Sequence, residues 1–326
     1  MPFRSAPPVT WTEKAMSDQS GRLVVVTGAN GGIGYATARE LARRGAHVVM
    51  ACRNAERGRA ALGRLRAEVP DSRAELRPLD LSVPQSVREF ADAWDHDRLD
   101  VLINNAGVVM VPESTTVAGH ESHFGTNHLG TFMLTGLLLP HLLASGDPRV
   151  VTVSSETHIT TRFPLDRIIN GENRGRYSAT AAYGISKKAN VYFAMHLHRL
   201  AVTAGVSLRS MIAIPGMTDT HGMARQNRER RNRLWEAVVP GVISMLAKPV
   251  IQGAWPTLYA ATVPGLPGGS YIAPRGPLQQ RGGPAPRNGF RAVRDTRTAA
   301  RLWEYSEKLT GVSYEFPPPV PPGTSA

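Results

Sequence analysis

The sequence predicts an α/β fold, with helices on both faces of a doubly wound, parallel sheet. Short apolar runs rich in β-branched residues alternate with longer segments of helical periodicity. These runs are apolar on both faces, as the buried strands of a parallel sheet are. Repeated β-α units of this kind predict one large domain with a doubly wound sheet.

The elements follow from these patterns in chain order. Strands are predicted at residues 22–27, 46–51, 74–79, 100–105, 149–154 and 206–214, with the weakest pattern at 74–79. Helices are predicted at residues 32–44, 55–68, 84–94, 119–144 and 181–204.

The pattern changes after Ile214. Residues 217–262 have helical periodicity with breaks at Pro240 and Pro249, and residues 263–295 are rich in Gly, Pro and Arg and predict irregular structure. A final helix is predicted at residues 296–312, where Gly311 suits a C-cap. The predicted domain therefore spans 21–316, between a flexible extension at 1–20 and a disordered or polyproline tail at 317–326.

Composition excludes several classes of protein. The single cysteine, Cys52, excludes a disulfide framework and a multi-cysteine zinc site, so we expect no metal. Residues 1–20 lack the apolar stretch of a secretory signal, and no run is long enough for a membrane span. We therefore expect a cytoplasmic protein.

The formal net charge of +12 raises nucleic acid as a partner. The denser arginine clusters, at 224–233 and from Arg275 to Arg301, lack interleaved aromatic residues. The first interpretation is that these arginines lie on solvated surface. The second is that they attract an anionic cofactor or substrate. Nucleic acid comes third and is not expected.

A glycine-rich turn joins the first strand to the first helix. In "TGANGGIG", Gly28 follows the strand directly, and Gly32 and Gly34 lie where the helix begins. Such a turn lets the backbone approach a pyrophosphate at the positive end of the helix. The alternative is an ordinary strand–helix turn.

Five further side chains point to chemistry. Tyr183 and Lys187 share one helix face, where an ammonium favours the phenolate and lowers the pKa of the tyrosine. The serines of "VSS" end a strand where ligands bind in open α/β sheets. Asn127 lies within a helical pattern despite its low helix propensity. Taken singly, each has a structural alternative: chance spacing, a polar strand end or an exposed helix residue.

Together these motifs resemble the short-chain dehydrogenase/reductase family. The ordered set is "TGANGGIG", "LDLS", "NNAG", Asn127, "VSS", "YGISK" and "IPGMTDT", and the resemblance covers residues 20–262. The remainder is similar to actinobacterial members of the retinol-dehydrogenase-like branch. The resemblance implies a Rossmann-type fold and an NAD(P)-dependent oxidoreductase.

The resemblance also implies roles for individual residues. Tyr183 is the general acid in reduction and the base in oxidation, and Lys187 lowers its pKa and binds the nicotinamide ribose. Ser155, rather than Ser154, orients the substrate carbonyl, and Asn127 anchors a proton-relay water. The cofactor-binding residues implied are Gly28, Asn30, Gly31, Gly32, Ile33, Gly34, Arg53, Asn54, Asp80, Leu81, Asn105, Ala106, Gly107, Tyr183, Lys187, Pro215, Gly216, Thr218 and Thr220.

The second predicted strand indicates which cofactor is preferred. An acidic residue at its end would accept hydrogen bonds from a free ribose 2′-hydroxyl, but this chain has Arg53 and Asn54 there. A guanidinium can hold a 2′-phosphate with two parallel hydrogen bonds. We therefore expect NADP(H) to be preferred over NAD(H), the alternative being a surface arginine at a helix start.

The segments around the substrate differ from the family pattern. Ser155 and Tyr183 lie 28 positions apart, more than is usual, so we expect 156–180 to form an excursion over the substrate cleft. Residues 215–250 offer apolar side chains that either line a pocket or belong to a helix core. The substrate is expected to be a bulky or apolar ketone or aldehyde, or the corresponding alcohol.

Two other functions remain open at this stage. A regulator could sense NADPH without turnover, although it would have no need of a tyrosine–lysine acid. A tailoring enzyme of specialised biosynthesis could act on an imine or another unusual bond. For assembly, a homodimer through the helices at 119–144 and 181–204 is expected, with a monomer as the alternative.

Overall fold

A computed structural model describes residues 11–170, 176–216, 249–276, 279, 282–287 and 294–317 of the chain. Its centre is an eight-stranded sheet in the order β3-β2-β1-β4-β5-β6-β7-β8. All neighbouring strands pair in parallel except β7 and β8, which are antiparallel. The strands are β1 Leu23–Thr27, β2 His47–Cys52, β3 Ala74–Pro78, β4 Val101–Asn104, β5 Arg149–Val153, β6 Arg209–Ala213, β7 Tyr271–Pro274 and β8 Pro284–Pro286.

Helices cover both faces of this sheet. They are α1 Gly32–Arg43, α2 Ala55–Glu68, α3 Pro84–Asp92, α4 Gly130–Leu137, α5 Leu139–Leu143, α6 Thr157–Thr160, α7 Leu165–Ile169, α8 Ala179–Thr203, α9 Val250–Thr262 and α10 Thr296–Thr310. A 3-10 turn at Glu13–Ala15 and a π-helix at Phe124–Leu129 complete the described elements. Within the described ranges, no helix is both long and apolar enough to cross a membrane.

The strand order places a crevice at the carboxyl end of β1. The chain runs outward from β1 through β2 to β3 and then returns to β4 on the other side of β1. In open α/β sheets, ligands bind where the strand order reverses in this way. The predicted doubly wound parallel fold is therefore confirmed, and its switch point coincides with the glycine-rich turn after β1.

The core lies in two layers, one on each face of the sheet. Alternate residues of β1 divide between them, since Val24 and Val26 pack on the side of α1 and α9 and Val25 packs on the side of α4 and α8. All three valines are fully buried. Burying a side chain of this size contributes about 1.5–3 kcal/mol.

Two arginines at the amino-terminal edge of the sheet, opposite the glycine-rich turn, cap the C-terminal end of α9. Buried Arg149 donates to the carbonyl oxygens of Ala260 and Val263, and Arg22 donates to that of Ala261. Cations at a helix C-terminus satisfy its free carbonyls and its negative dipole end. A cavity of about 490 Å³ lies beside them, on the far edge of the sheet from the predicted site.

The prediction of irregular structure across residues 263–295 was wrong in part. β7 and β8 extend the sheet within this stretch, with Ala273 paired to Ala285. These short strands were not predicted because glycine and proline, which are rare in strands, are frequent in this stretch. Pro284 and Pro286 are tolerated because β8 is an edge strand, where a missing N–H costs no ladder hydrogen bond.

The single helix predicted at 119–144 is divided. Glu121 pairs with Thr115 in an isolated β-bridge, the backbone then forms the π-helix, and α4 ends at Leu137. Pro140 lies in the first turn of α5, where its missing N–H is tolerated. The helix predicted at 181–204 is confirmed as α8.

The C-terminal helix is also confirmed. α10 ends with Gly311 in the left-handed region at φ 64°, and the Gly311 N–H bonds the carbonyl of Glu307. α10 packs against α8 and α4, and Trp303 stacks on Phe193 with ring centroids 5.8 Å apart. The helix pair expected to mediate dimerisation is thus partly covered by this chain's own C-terminal part, and the homodimer stays a prediction.

Several predictions fall outside the described residues. These concern Thr218 and Thr220, most of the segment 215–250, the arginine cluster at 224–233, the first ten residues and nearly all of the tail.

Candidate active site

The turn after β1 requires glycine at two positions. Gly28 has φ 68°, a left-handed conformation that disfavours other residues, and a Cβ built on it would lie 3.0 Å from the Cα of Ala106. A Cβ on Gly34 would overlap the Gly28 carbonyl oxygen and the Asn105 amide. The turn, the start of α1 and the end of β4 are therefore packed backbone to backbone.

Thr27 and Asn105 hold this arrangement together. The Thr27 hydroxyl donates to the Ile103 carbonyl at 3.2 Å and accepts from the N–H groups of Asn105 and Ala106, both at 2.9 Å. The Asn105 amide donates back to the Thr27 carbonyl at 2.8 Å. The sequence "NNAG" thus serves as a brace for the glycine-rich turn.

The N-terminus of α1 has free donors. Gly31 is the N-cap, no side chain caps the helix, and Gly31 is exposed with open space around its Cα. Unsatisfied N–H groups and the helix dipole make such an end suitable for a phosphate group. The geometry around Gly28, Asn30, Gly31, Gly32, Ile33 and Gly34 fits a dinucleotide pyrophosphate.

Arg53 and Asn54 follow the end of β2. Arg53 is exposed and has no ion-pair partner among the described residues. The Asn54 side-chain oxygen caps α2 by accepting the Arg57 N–H at 2.8 Å, which leaves its NH₂ group for a ligand. Cys52, the last residue of β2, is buried, and burial raises the pKa of its thiol to about 11, so it is inert at neutral pH.

Asp80 and Leu81 follow β3. The Asp80 carboxylate accepts from the N–H and hydroxyl of Ser82 at 2.9 and 2.6 Å, which fixes this loop. Leu81 is buried and its backbone lies against Gly130, where a Cβ would collide with the Leu81 carbonyl. These residues lie at the same carboxyl edge as Arg53, at the end of the neighbouring strand.

Tyr183 and Lys187 lie together, almost fully buried, in α8. The Lys187 Nζ lies 5.8 Å from the centroid of the Tyr183 ring and donates to the carbonyl of Val153, the last residue of β5, at 3.0 Å. The i and i+4 spacing places both side chains on one face of α8, as predicted, and the Lys187 ammonium reaches the end of β5. Their roles remain predictions.

Burial controls the pKa of both groups. It raises the pKa of Tyr183 to about 12, with Glu156 adding to the rise and a hydrogen bond with Ser155 opposing it. It lowers the pKa of Lys187 to about 8. The direction for Tyr183 is opposite to the lowering expected from Lys187, and loss of hydration on burial is the largest cause of the rise.

The two serines after β5 have different environments. The Ser154 hydroxyl is buried and donates to the Lys187 carbonyl at 2.8 Å, so it anchors α8 to the sheet. Ser155 is half-buried, and its side chain lowers the pKa of Tyr183. This difference is consistent with the choice of Ser155 over Ser154, which remains a prediction.

Asn127 lies fully buried in the π-helix next to α8. Its amide donates to the Ser186 hydroxyl at 3.0 Å, and its oxygen lies so near Gly107 that a Cβ there would be 2.8 Å away. Single-turn π-helices occur often at functional sites. Asn127, Gly107 and α8 are therefore one packed unit beside Tyr183.

A cluster of Glu121, His123 and Tyr177 lies beside Asn127 and Tyr183, and no sequence motif pointed to it. The Glu121 carboxylate accepts from the His123 ring at 2.7 Å, the Tyr177 hydroxyl at 3.0 Å and the Phe124 N–H at 2.8 Å. His123 is fully buried, with its ring centroid 6.1 Å from that of Tyr183. Glu121 thus ties the end of the 156–180 segment to the start of the π-helix.

The remaining predicted residues occupy the edges of the site. Pro215 is buried and Gly216 follows it at φ 73°, directly after β6. In the 156–180 segment, α6 packs on α8, and Arg301 of α10 forms an ion pair with Asp166 at 2.5 Å. That this segment covers a substrate cleft remains a prediction.

Comparison with known proteins identifies the family. The family model for short chain dehydrogenases matches residues 22–164. Retinol dehydrogenase 12 of Mus musculus is 38% identical over 301 residues, which cover 90% of this chain and 88% of that protein. The chain belongs to the short-chain dehydrogenase family. Human polyprenol dehydrogenase is 34% identical over 312 residues, covering 92% of this chain and 88% of the relative.

Solved structures agree with this assignment. A crystal structure of an uncharacterized protein from Mycobacterium paratuberculosis has a TM-score of 0.76 at 42% identity, covering 94% of this chain and 99% of the other. A short chain dehydrogenase from Shigella flexneri, complexed with NADP, has a TM-score of 0.55 at 25% identity, covering 75% and 92%. The present chain is therefore an NAD(P)-dependent oxidoreductase with a Rossmann-type sheet, and it belongs to the retinol-dehydrogenase-like part of the family.

Proposed function

We propose that the chain interconverts an apolar aldehyde or ketone and its alcohol with NADPH, using Tyr183 as the proton donor in reduction. The observation that carries this proposal is the grouping of buried Tyr183 and Lys187 with half-buried Ser155 at the carboxyl edge of the sheet. The glycine-rich turn and the free N-terminus of α1 lie at the same edge. A redox cofactor and a proton donor would therefore meet one substrate there.

The protein contributes the proton and the orientation. A bound nicotinamide would supply the hydride to the substrate carbon. Ser155 is placed to donate a hydrogen bond to the carbonyl oxygen, and Tyr183 to protonate it. Because burial raises the pKa of Tyr183 to about 12, the phenol stays protonated at neutral pH, which is the form that reduction needs.

Arg53 supports the choice of NADPH. Its position after β2 lets the guanidinium bind a ribose 2′-phosphate, and no carboxylate among the described residues pairs with it. The NADP complex of the Shigella relative is consistent with this assignment.

The relatives' names suggest the substrate class. Retinol and polyprenol are long, apolar isoprenoid alcohols, and proteins named for their dehydrogenation align with nearly the whole of this chain. We infer that this enzyme accepts a substrate of that class in preference to a small polar carbonyl compound.

Turnover with a graded panel of carbonyl compounds tests the proposal. Loss of NADPH absorbance would be followed with a long isoprenoid aldehyde, a short aldehyde and a charged keto acid. We expect the highest kcat/KM with the isoprenoid aldehyde. NADPH binding without oxidation of NADPH by any compound would favour a sensor, and faster reduction of the keto acid would contradict the substrate class.

Ser155→Ala and Ser154→Ala form a matched pair for the same assay. Loss of the Ser155 hydroxyl should lower kcat by about 10²-fold, since it removes a hydrogen bond at the reacting oxygen. The Ser154 change should chiefly lower stability, because that hydroxyl contacts only the α8 backbone among the described residues. Equal losses of kcat in both variants would contradict the assignment of Ser155.

A further inference from the structure

A buried histidine lies behind the candidate catalytic serine. His158, in α6, is fully buried, and its Nδ1 lies within hydrogen-bond distance of the Ser155 carbonyl oxygen. A carbonyl oxygen only accepts hydrogen bonds, so Nδ1 carries the hydrogen and Nε2 is the bare nitrogen. The same carbonyl also accepts the His158 backbone N–H at 3.1 Å.

The far side of the imidazole faces the C-terminal part of the sheet. The Tyr271 hydroxyl of β7 lies 3.5 Å from the His158 Nε2 and donates to the Gln279 side-chain oxygen at 3.1 Å. Tyr271 is 2% exposed and Gln279 6% exposed, so this group of side chains is sealed from solvent. A buried polar network of this kind fixes its members in one arrangement.

Gln279 is itself held in an unfavourable backbone conformation. Its φ is 59°, in the left-handed region that residues other than glycine seldom adopt. Such a conformation persists only where the surroundings impose it, and it concentrates near functional sites. The Gln279 side chain is held by the Tyr271 hydroxyl, and its backbone N–H donates to the Gly276 carbonyl at 3.1 Å.

The imidazole of His158 is neutral, so its hydrogen-bond donor stays in one place. Burial lowers the pKa of His158 to about 4, so the ring is neutral at physiological pH. A neutral ring keeps Nδ1–H as a donor to Ser155, while the Tyr271 ring, tied to Gln279 through its hydroxyl, packs against the imidazole with ring centroids 5.7 Å apart. The Ser155 side chain in turn influences Tyr183, whose pKa it lowers.

We propose that His158 is a positioning residue: its imidazole, braced by Tyr271 and Gln279, fixes the Ser155 backbone and thereby the hydroxyl that orients the substrate carbonyl. This inference rests on the proposed function and adds to it a residue that lies outside the family motifs. It also joins the β7–β8 region, for which the sequence patterns predicted irregular structure, to the reacting groups.

Two polar substitutions of similar size separate positioning from packing. His158→Asn places an amide NH₂ close to the position of Nδ1 and keeps the donor for Ser155, whereas His158→Gln places its amide near Nε2 and loses that donor. We expect kcat for carbonyl reduction to fall about tenfold in the Gln variant and less than about threefold in the Asn variant, because small displacements of an orienting group lower the rate strongly. The KM for NADPH should be unchanged in both.

Tyr271→Phe tests the brace. It removes only the hydroxyl, and we expect a fall in kcat between those of the Asn and Gln variants. Equal kcat in the Asn and Gln variants, whether both are active or both impaired, would overturn the proposal, because the Nδ1 donor would then make no difference.

Crystal structures of the wild type and the Gln variant give a readout that does not need turnover. We expect the Ser155 hydroxyl to move away from the Tyr183 hydroxyl in the Gln variant, and an unmoved Ser155 would overturn the positioning role. A wild-type protein that oxidises no NADPH would refute the proposed function, while the crystallographic comparison would still decide whether His158 positions Ser155.

Discussion

Asn127 holds the backbone of Val108 through both atoms of its side-chain amide. Its oxygen accepts the Val108 N–H at 2.7 Å, and its NH₂ group donates to the Val108 carbonyl at 2.9 Å. The residue expected to anchor a proton-relay water therefore uses its side chain to fasten the loop after β4 to the π-helix. This contact fixes the distance between the cofactor-side loop at Asn105–Gly107 and the candidate acid on α8.

Replacing Asn127 should damage stability and rate together. Asn127→Ala leaves the two partly buried backbone groups of Val108 without these partners, so we expect the free energy of unfolding to fall by about 1–3 kcal/mol. Displacement of the loop should also lower kcat by about tenfold. Denaturant unfolding and steady-state kinetics measure both effects.

Ser186→Ala is the matched control for Asn127. It removes the third partner of the Asn127 amide and leaves the Val108 contacts intact. It should cost less than about half the stability lost in Asn127→Ala. An Asn127→Ala protein with unchanged stability would show that the Val108 contact contributes nothing.

Cofactor choice should change at Arg53. A hydrogen bond to a charged group contributes about 1.5–3 kcal/mol, so the wild type should favour NADPH over NADH by about ten- to a hundredfold in kcat/KM. Arg53→Asp should abolish or reverse this preference. Arg57→Asp, at an exposed position within the first turn of α2, should keep most of it. Equal kcat/KM for the two cofactors in the wild type would refute the role of Arg53.

Local sequence patterns predicted much of the fold. The first six strands and the helices around "TGANGGIG" and "YGISK" were predicted close to their observed bounds, since apolar periodicity and glycine position both reflect local physics. β7 and β8 were not predicted because their proline and glycine content is tolerated only at the edge of a completed sheet. The π-helix leaves almost the same periodicity as an α-helix and so could not be recognised.

Less of the candidate site than of the fold could be predicted from the sequence. Tyr183, Lys187 and Ser155 were found by spacing and by family resemblance, and the structure brings them together. The partners His158 and Tyr271 lie far apart in sequence and meet only through the order of β5, β6 and β7. The rise in the pKa of Tyr183 depends on burial, which local spacing does not encode.

Two truncations should distinguish the contribution of the tail at 317–326 to stability from that of residues 312–316. Tyr314 packs against Trp303 with ring centroids 4.4 Å apart and donates to the Phe132 carbonyl at 2.6 Å. Removal of 312–326 should therefore cost about 3–5 kcal/mol of stability, as loss of a buried aromatic residue does. Removal of 317–326 alone should leave the melting temperature and activity unchanged. Similar melting temperatures for both truncations would show that the packing of Tyr314 does not stabilise the fold.

Stability should fall as the pH is lowered from neutral. Burial lowers the pKa of His128 to about 3 and that of His158 to about 4, whereas the ordinary value is 6.5. Below 6.5 the unfolded chain binds protons at these residues and the folded chain does not, so protonation favours unfolding. Between about pH 7 and about pH 5, each histidine should remove about 2 kcal/mol from the free energy of unfolding.

His128→Gln isolates one of these contributions. Glutamine keeps a polar group that can reach Ser306, the partner of the His128 Nε2 at 2.8 Å, but it does not titrate. The loss of stability between about pH 7 and about pH 5 should therefore be smaller in the variant by one histidine's share, about 2 kcal/mol. The same loss in variant and wild type would contradict the burial argument.

The most direct test of the proposed reaction is kcat for carbonyl reduction by Tyr183→Phe at saturating substrate and NADPH. The change removes the proton donor and keeps the buried ring, so we predict a loss of about 10²–10⁴-fold with folding nearly unchanged. Tyr192→Phe is the control, since Tyr192 is also buried on α8 but interacts with Asp295. Wild-type kcat in Tyr183→Phe would contradict the assignment of Tyr183 as the acid.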